Sequence, residues 1–344
     1  MPESQNIQAG RPSLPLVRMS LIAPVLSALE ERGANSDRVL QGLGLTREAV
    51  ETPGTFIHVM VIHQFLENAA AAAGDPHLLA RVGEALDVTS WPPLIEAARD
   101  ATTVGDFLTR FIAGAQGHAT SAVQRLGVEG SMATLSEQRV FEPSIVPAQN
   151  DAFMVGLWVS LIRRSVDALW DPQDVMVTLS DPAVLPPVFH GVSALKGNRM
   201  GYSIRFPAAW LSKPFDRSDF IRRSEQETSH GAPALTLAEA IHQAVRPYFG
   251  KTSLSAEEVA ALCRWNKRAL QRRLAVQGTT LRAVVNELKR EAATEALAAT
   301  DQSIAQIATS LGFSDPTGFA RSFKRWTGQS PRGYRKSHQN LGQD

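Results

Sequence analysis

The sequence predicts an α+β N-terminal domain followed by an all-α C-terminal domain with two helix-turn-helix units. Three observations carry that prediction. One helix, tight turn, second helix pattern occurs twice near the C-terminus, from Ser255 to Leu274 and again from Ser303 to Phe323, about 48 residues apart. Charge is divided unevenly: residues 251–344 hold 15 Lys/Arg against 8 Asp/Glu, although the whole chain of 344 residues has a net charge of only +1. The upstream two-thirds runs from helical periodicity into short alternating segments mixed with helices, which is the order of an α+β domain.

Each copy opens on a capping box. Ser255 and Glu258 in the first, Ser303 and Gln306 in the second, stand three residues apart, so the serine accepts from a free N–H of the first turn while the longer side chain reaches back. Val259, Ala260 and Cys263, and in parallel Ile307, Ala308 and Leu311, then repeat at helical spacing and bury one face, with a small alanine where a partner helix approaches closely. The turns read Arg264, Trp265, Asn266 and Gly312, Phe313, Ser314: an aromatic plug, then a polar cap for the next helix. In the second copy Ser314 or Asp315 caps, and Pro316 falls in the first helical turn, where its missing N–H had no partner to lose.

Leu270 with Leu274, and Phe319 with Phe323, pack inward at i, i+4, which leaves the other faces in solvent. On the first copy these are Lys267, Arg268, Gln271 and Arg272; on the second they are Thr317, Gly318, Arg321, Lys324 and Arg325. Arginine can bridge guanine O6 and N7 and glutamine can bridge adenine N6 and N7, while lysine and the remaining arginines neutralise phosphates. One basic helical hairpin is a common solvated surface. Two in tandem, separated by a charged helix, imply a duplex DNA partner. The basic tail joined to an acidic body, 20 Lys/Arg against 26 Asp/Glu in residues 1–250, assigns that partner to the tail alone.

Upstream, 19–32, 57–73, 77–86, 93–101 and 104–119 read as helices, several of them alanine-rich. Segments 121–128 and 132–140 alternate as strands and are divided by Glu129 and Gly130, a hairpin signal. A long apolar helix follows over 147–170, then strands at 175–179 and 201–206. Residues 1–14 read as a disordered N-terminus, 15–215 as an effector-sensing or dimerisation domain, 216–234 as a polar linker, 235–337 as the DNA-binding domain with its first helix over 236–249, and 338–344 as a tail.

The C-terminal region resembles the DNA-binding domain of AraC/XylS-type bacterial transcription regulators over about 100 residues. The run from Ser303 through Gly312, Phe313 and Phe319 to Trp326, and on through Gly328, Pro331, Gly333 and Arg335, carries that resemblance. It implies seven helices, with the two units joined rigidly by a long helix near 280–299, and recognition helices entering successive major grooves about 34 Å apart. It also implies base-contacting positions at Arg268, Gln271 and Arg272 in the first unit and at Pro316, Thr317, Gly318 and Arg321 in the second. Pro316 and Gly318 offer no side-chain hydrogen bond, so the second unit should lean on Arg321 and phosphate contacts. Arg264 stands where the family usually has glycine, at a backbone cost of about 1 kcal/mol or more. The N-terminal region resembles the arabinose-binding-like domain of AraC-type regulators related to ornithine-utilisation and virulence regulators, through Gly74 to Pro76, Thr103 to Phe111, and Phe206 to Leu211 with Pro214. The resemblance implies sensing of a small molecule, with effector and pocket residues unspecified, or dimerisation alone. For the whole chain it implies a regulator, expected to be an activator, with promoter DNA, RNA polymerase, an effector and a second copy in a homodimer as partners.

An enzyme is not expected. The upstream region has no nucleophile elbow, phosphate loop or His-Glu-x-x-His motif. His58 and His63 are five apart, off the i, i+4 spacing of two ligands on one helix face, and read with His118 and His190 as satisfied structural histidines, so neither metal nor cofactor is expected. Trp91, Pro92 and Pro93 read as a loop closing a helix, and Phe153, Met154 and Trp158 as core, although ligand pockets are built from such surfaces too. Cys263 is the only cysteine and reads as a buried structural thiol; with no signal peptide or long apolar run, a cytoplasmic protein is expected.

Overall fold

A computed structural model describes residues 14–52, 54–87, 91–215, 236–249, 254–263 and 265–339. The chain falls into two compact units, Pro15–Ala234 and Leu235–Asp344. The linker expected over 216–234, the N-terminal segment 1–13 and Arg264 lie outside the described residues. Leu14, placed by its sequence at the end of the disordered segment, is fully buried. The last helix runs to Gln339, two residues into the expected tail.

The N-terminal unit begins with strand β1 (Leu16–Arg18), a 3-10 turn over Met19–Ile22, then α1 (Ala23–Glu31), α2 (Ser36–Gln41) and α3 (Arg47–Glu51). Strand β2 (Phe56–His58) pairs antiparallel with β1, Leu16 opposite His58 and Arg18 opposite Phe56. Helix α4 (Val59–Ala73) therefore starts two residues later than its periodicity suggests, and His58 explains the boundary: its Nδ1 accepts from the Met60 N–H at 3.2 Å as an N-cap. Helices α5 (Leu78–Glu84), α6 (Pro92–Ala98) and α7 (Val104–Ala115) follow.

Strands β3 (Ala122–Glu129) and β4 (Met132–Arg139) form the expected hairpin, turned by Gly130 at φ +60°. Helix α8 (Ala148–Val166) stops short of Trp170, where Asp167 takes φ +44° and a 3-10 turn begins. Three more strands complete a five-stranded sheet: β5 (Met176–Leu179), β6 (Ser193–Lys196) and β7 (Ser203–Pro207) in the order β3-β4-β7-β5-β6, all neighbours antiparallel except β5 with β6. Helices α5 and α8 pack with almost no side chain between them. A Cβ at Gly83 would collide with the Phe153 carbonyl, and one at Gly156 with that of Ala80. The Trp158 indole is buried beyond them and donates to the Tyr202 hydroxyl at 3.0 Å.

The described residues of the C-terminal unit form helices and no strand: α9 (Leu237–Val245), followed by a 3-10 turn over Arg246–Tyr248, then α10 (Ala256–Leu262), α11 (Lys267–Val276), α12 (Leu281–Ala299), α13 (Ile304–Ser310), α14 (Pro316–Thr327) and α15 (Pro331–Gln339). Helix α12 is its spine, roughly 28 Å long at 1.5 Å per residue. Helices α10 and α11 pack against one part of it, and α13, α14 and α15 against another. Its buried stripe of Leu281, Val284, Leu288, Ala292 and Leu297 follows the helical period.

Candidate DNA interface and ligand cavity

Both helix-turn-helix units are built on the same local chemistry. Ser255 Oγ accepts from the Glu258 N–H at 3.1 Å while Glu258 Oε2 accepts from the Ser255 N–H at 3.3 Å. In the second copy the distances are 3.2 Å from Gln306 N–H to Ser303 Oγ and 2.8 Å from Ser303 N–H to Gln306 Oε1. One closing bond is common to the two turns: the Trp265 N–H donates to the Ala260 carbonyl at 3.0 Å, and the Phe313 N–H to the Ala308 carbonyl at 2.9 Å. Around Gly312, at φ +72°, this bond and the one from Gly312 N–H to Thr309 at 2.9 Å make a Schellman closure, which needs a left-handed residue.

The two second helices differ at their starts. Asn266 caps α11 through a 2.7 Å bond to the Ala269 N–H and brings no charge. Asp315, and not Ser314, caps α14, accepting from the Gly318 N–H at 2.7 Å, and that bond holds its carboxyl below the usual range. An anion at a helix N-terminus is favourable for the helix, and it occupies the place where a phosphate would otherwise dock. Buried aliphatic side chains, Val259, Leu270 and Leu274, fill the first copy; an aromatic cluster of Phe313, Phe319, Phe323 and Tyr334, ring centres 5.4 to 5.7 Å apart, fills the second.

Arg268, Gln271 and Arg272 are exposed together on α11, as are Pro316, Thr317, Arg321, Lys324 and Arg325 on α14, with Gly318 half-buried. Lys267 is exposed too, but its Nζ donates to Glu257 Oε1 of the preceding helix at 2.5 Å, so its charge is partly answered within the unit. Two basic residues that the sequence did not single out brace the turns instead. Arg273 lies over the Trp265 ring at 4.2 Å, and Lys289 of α12 over the Phe313 ring at 4.7 Å. Cys263 is fully buried, and burial pushes its thiol up to about 12.

The N-terminal unit holds a partly open cavity of about 120 Å³ among β1, α1, α4, α7, α8 and the β3-β4 hairpin. Its wall is mainly apolar, including Val25, Val59, Leu66, Phe111, Phe153 and Met154. Trp91, Phe153 and Met154 thus line a cavity where their sequence context suggests loop and core, while Trp158 is core as expected. His63 and His118 also line it, and the Nδ1 of each is buried without a hydrogen-bond partner, as is Trp91 Nε1. The expectation of satisfied histidines therefore holds for His58, which caps α4, and for His118 Nε2, which meets Glu96 Oε2 at 3.2 Å, but not for these two Nδ1 atoms. Burial, helped by the nearby Arg139 and His58, holds His63 down to about 3.

One end of the cavity is charged. Arg139, Glu137 and Gln124 line it, and behind them Asp151 is wholly inaccessible. Asp151 takes an Arg139 Nη2 hydrogen bond, the Ser180 N–H at 3.0 Å and the Ser180 hydroxyl at 2.6 Å. Glu137 stands 3.5 Å from the same guanidinium and accepts from Gln124 Nε2 at 2.7 Å. Burial pushes its carboxyl upward against the pull of Arg139.

Two capped helix-turn-helix units on one long spine, each with an exposed basic second helix, define a DNA-binding protein of the double helix-turn-helix class. Residues 259–337 match the family model of a helix-turn-helix domain, and residues 33–215 match that of the arabinose-binding domain of AraC transcription regulators, N-terminal part. The chain belongs to the AraC family of transcription regulators and is not an enzyme. It is 23 % identical over 343 residues to the ornithine utilization regulator of Pseudomonas aeruginosa, covering 94 % of this chain and 97 % of that protein. Similarity to the regulator VirS of Mycobacterium tuberculosis is 29 % identity over 158 residues, 42 % of this chain and 46 % of VirS. Among solved structures, the regulator CdpR of Pseudomonas aeruginosa aligns over 91 % of this chain and 96 % of its own, at 16 % identity and a TM-score of 0.38. No helix among the described residues is long and apolar enough to cross a membrane.

Proposed function

We propose that this regulator reads promoter DNA chiefly through Arg268, Gln271 and Arg272 of α11, while α14 anchors the module on the next turn of the duplex. On α14, Arg321, Lys324 and Arg325 supply phosphate contacts, and Thr317, flanked by Pro316 and Gly318, offers the one other side-chain hydrogen bond at its start. The observation that supports this division is the contrast between the neutral Asn266 cap and the ionised Asp315 cap on otherwise equivalent units. Occupancy of the N-terminal unit by a small-molecule effector adjusts DNA binding by a shift in populations, with activation of RNA polymerase and homodimer formation as its outputs.

Arg272→Ala in the full chain tests the DNA assignment. It should weaken binding to a selected site by about 1–3 kcal/mol and relax preference at one base pair. Unchanged discrimination with a salt slope lower by about one would make Arg272 a phosphate contact. For effector control, a ligand at 100 times its Kd should stabilise the chain by about 2.7 kcal/mol and change its affinity for that site. A ligand that stabilises and leaves DNA affinity untouched contradicts effector control.

A further inference from the structure

The cavity specifies a chemistry for its ligand. A chain of hydrogen bonds runs in one direction, from Trp158 Nε1 to the Tyr202 hydroxyl at 3.0 Å, from that hydroxyl to Gln124 Oε1 at 3.4 Å, and from Gln124 Nε2 to Glu137 Oε2 at 2.7 Å. Every donor in it leads towards Glu137, which is the terminal acceptor. The guanidinium beside Glu137 is already committed: Arg139 bonds directly to Asp151 and gives Nη1 to the Arg199 carbonyl at 3.0 Å, leaving Glu137 only a 3.5 Å approach. Two carboxylates therefore share one cation, and the carboxylate less well served is the one that lines the cavity.

We propose that this cavity binds a small primary amine, its ammonium group on Glu137 and its short apolar body against Val59, Leu66, Phe111 and Phe153. An ammonium has three donors and no acceptor, and a neutral imidazole offers one acceptor nitrogen, so His63 and His118 suit the remaining donors. Glu137 then gains the counter-charge it lacks, and the amine loses water to a ring-lined space where a charge-assisted bond is strong. At Glu137 a carboxylate ligand would bring a third anion to the Arg139 guanidinium. The walled space suits a short body: since a dry cavity of about 150 Å³ takes benzene, 120 Å³ holds roughly six non-hydrogen atoms.

This inference rests on reading the N-terminal unit as ligand-sensing, and the two are separable by experiment. Isothermal titration calorimetry on the full chain compares n-pentylamine, 1-pentanol and butanoate, all of equal heavy-atom count. The amine should bind at least about tenfold more tightly than either, and Glu137→Gln should erase that preference. The Glu137→Gln protein keeps the Arg139 pair with Asp151, and the head-group preference of the unaltered chain is a readout that needs no variant. Equal or tighter binding of butanoate or pentanol, a preference that survives Glu137→Gln, or no binding of any of the three overturns the proposal. DNA affinity measured with each compound then separates the readings. An amine that binds through Glu137 without changing DNA affinity upholds the ligand class and removes effector control; butanoate altering DNA affinity does the reverse.

Discussion

In the C-terminal unit Arg268, Arg272, Arg321 and Lys324 stand in solvent, on helices whose buried faces are purely apolar, whereas in the N-terminal unit Arg139, Glu137 and Asp151 are withdrawn from solvent beside a cavity. Exposed charge costs little to maintain and acts on whatever comes near, within a screening length of about 8 Å at physiological salt. Buried charge is costly unless it is paired, so it fixes a geometry and responds to what enters. The exposed arrangement suits a long anionic polymer; the buried one suits the small molecule proposed for the cavity. The same contrast appears on a smaller scale within the C-terminal unit, where copy one starts its recognition helix with a neutral cap and copy two with a carboxylate.

Loss of the Asp151 carboxylate should cost the molecule most. Asp151→Ala leaves Arg139 buried without its direct partner, and the N-terminal unit should lose about 3–5 kcal/mol in a denaturant titration. Arg268→Ala, an exposed cation in the other unit, should change stability by less than about 0.5 kcal/mol. Comparable losses from the two would break the contrast.

Acid comes next. His63 titrates at about 3 in the folded chain and near 6.5 in the unfolded one, so between those values only the unfolded state takes the proton. Stability is therefore lost as pH falls through that window, on the order of 3 kcal/mol by pH 4. Glu137, whose carboxyl is raised, works in the opposite sense, so the measurement is a difference: the loss from pH 7 to pH 4 should be smaller in His63→Gln than in the unaltered chain. Equal losses would mean that His63 is protonated when folded.

The smallest expected effect is none at all. With its thiol pushed up to about 12 and fully buried, Cys263 should resist a thiol reagent at pH 8 in the folded chain and react once the chain is denatured. Rapid reaction in the folded state would show that the first helix-turn-helix opens locally.

The recognition units were legible in the sequence because everything that makes them is local. Capping boxes span three residues, inward pairs four, and the turn signals lie between them, so Ser255, Ser303, Asn266 and Pro316 mark their own positions. The same reasoning fails for β1 and β2, which at three residues are too short to alternate, and for β6, whose four residues are all exposed and offer no alternation. Helices α2 and α3, of six and five residues, are too short to establish a period. The cavity was hidden for a different reason: its wall joins residues as distant as Val17 and Met154, and its charged end joins Arg139 to Asp151 across two elements. Phe153 and Met154 look like core in sequence because a cavity wall and a core have the same composition. What tells them apart is the unpartnered Nδ1 of His63 and of His118, which only the fold reveals.

We propose that the two copies, alike in scaffold, divide the work of reading DNA. Selection of duplexes from a random-sequence pool by the full chain measures it most directly. Two half-sites about one helical turn apart are expected, one strongly constrained and one weakly, with the strong one relaxed by Arg272→Ala and the weak one little altered by Thr317→Ala. Equal constraint in both half-sites, or a strong half-site that responds to Thr317→Ala and not to Arg272→Ala, would contradict it.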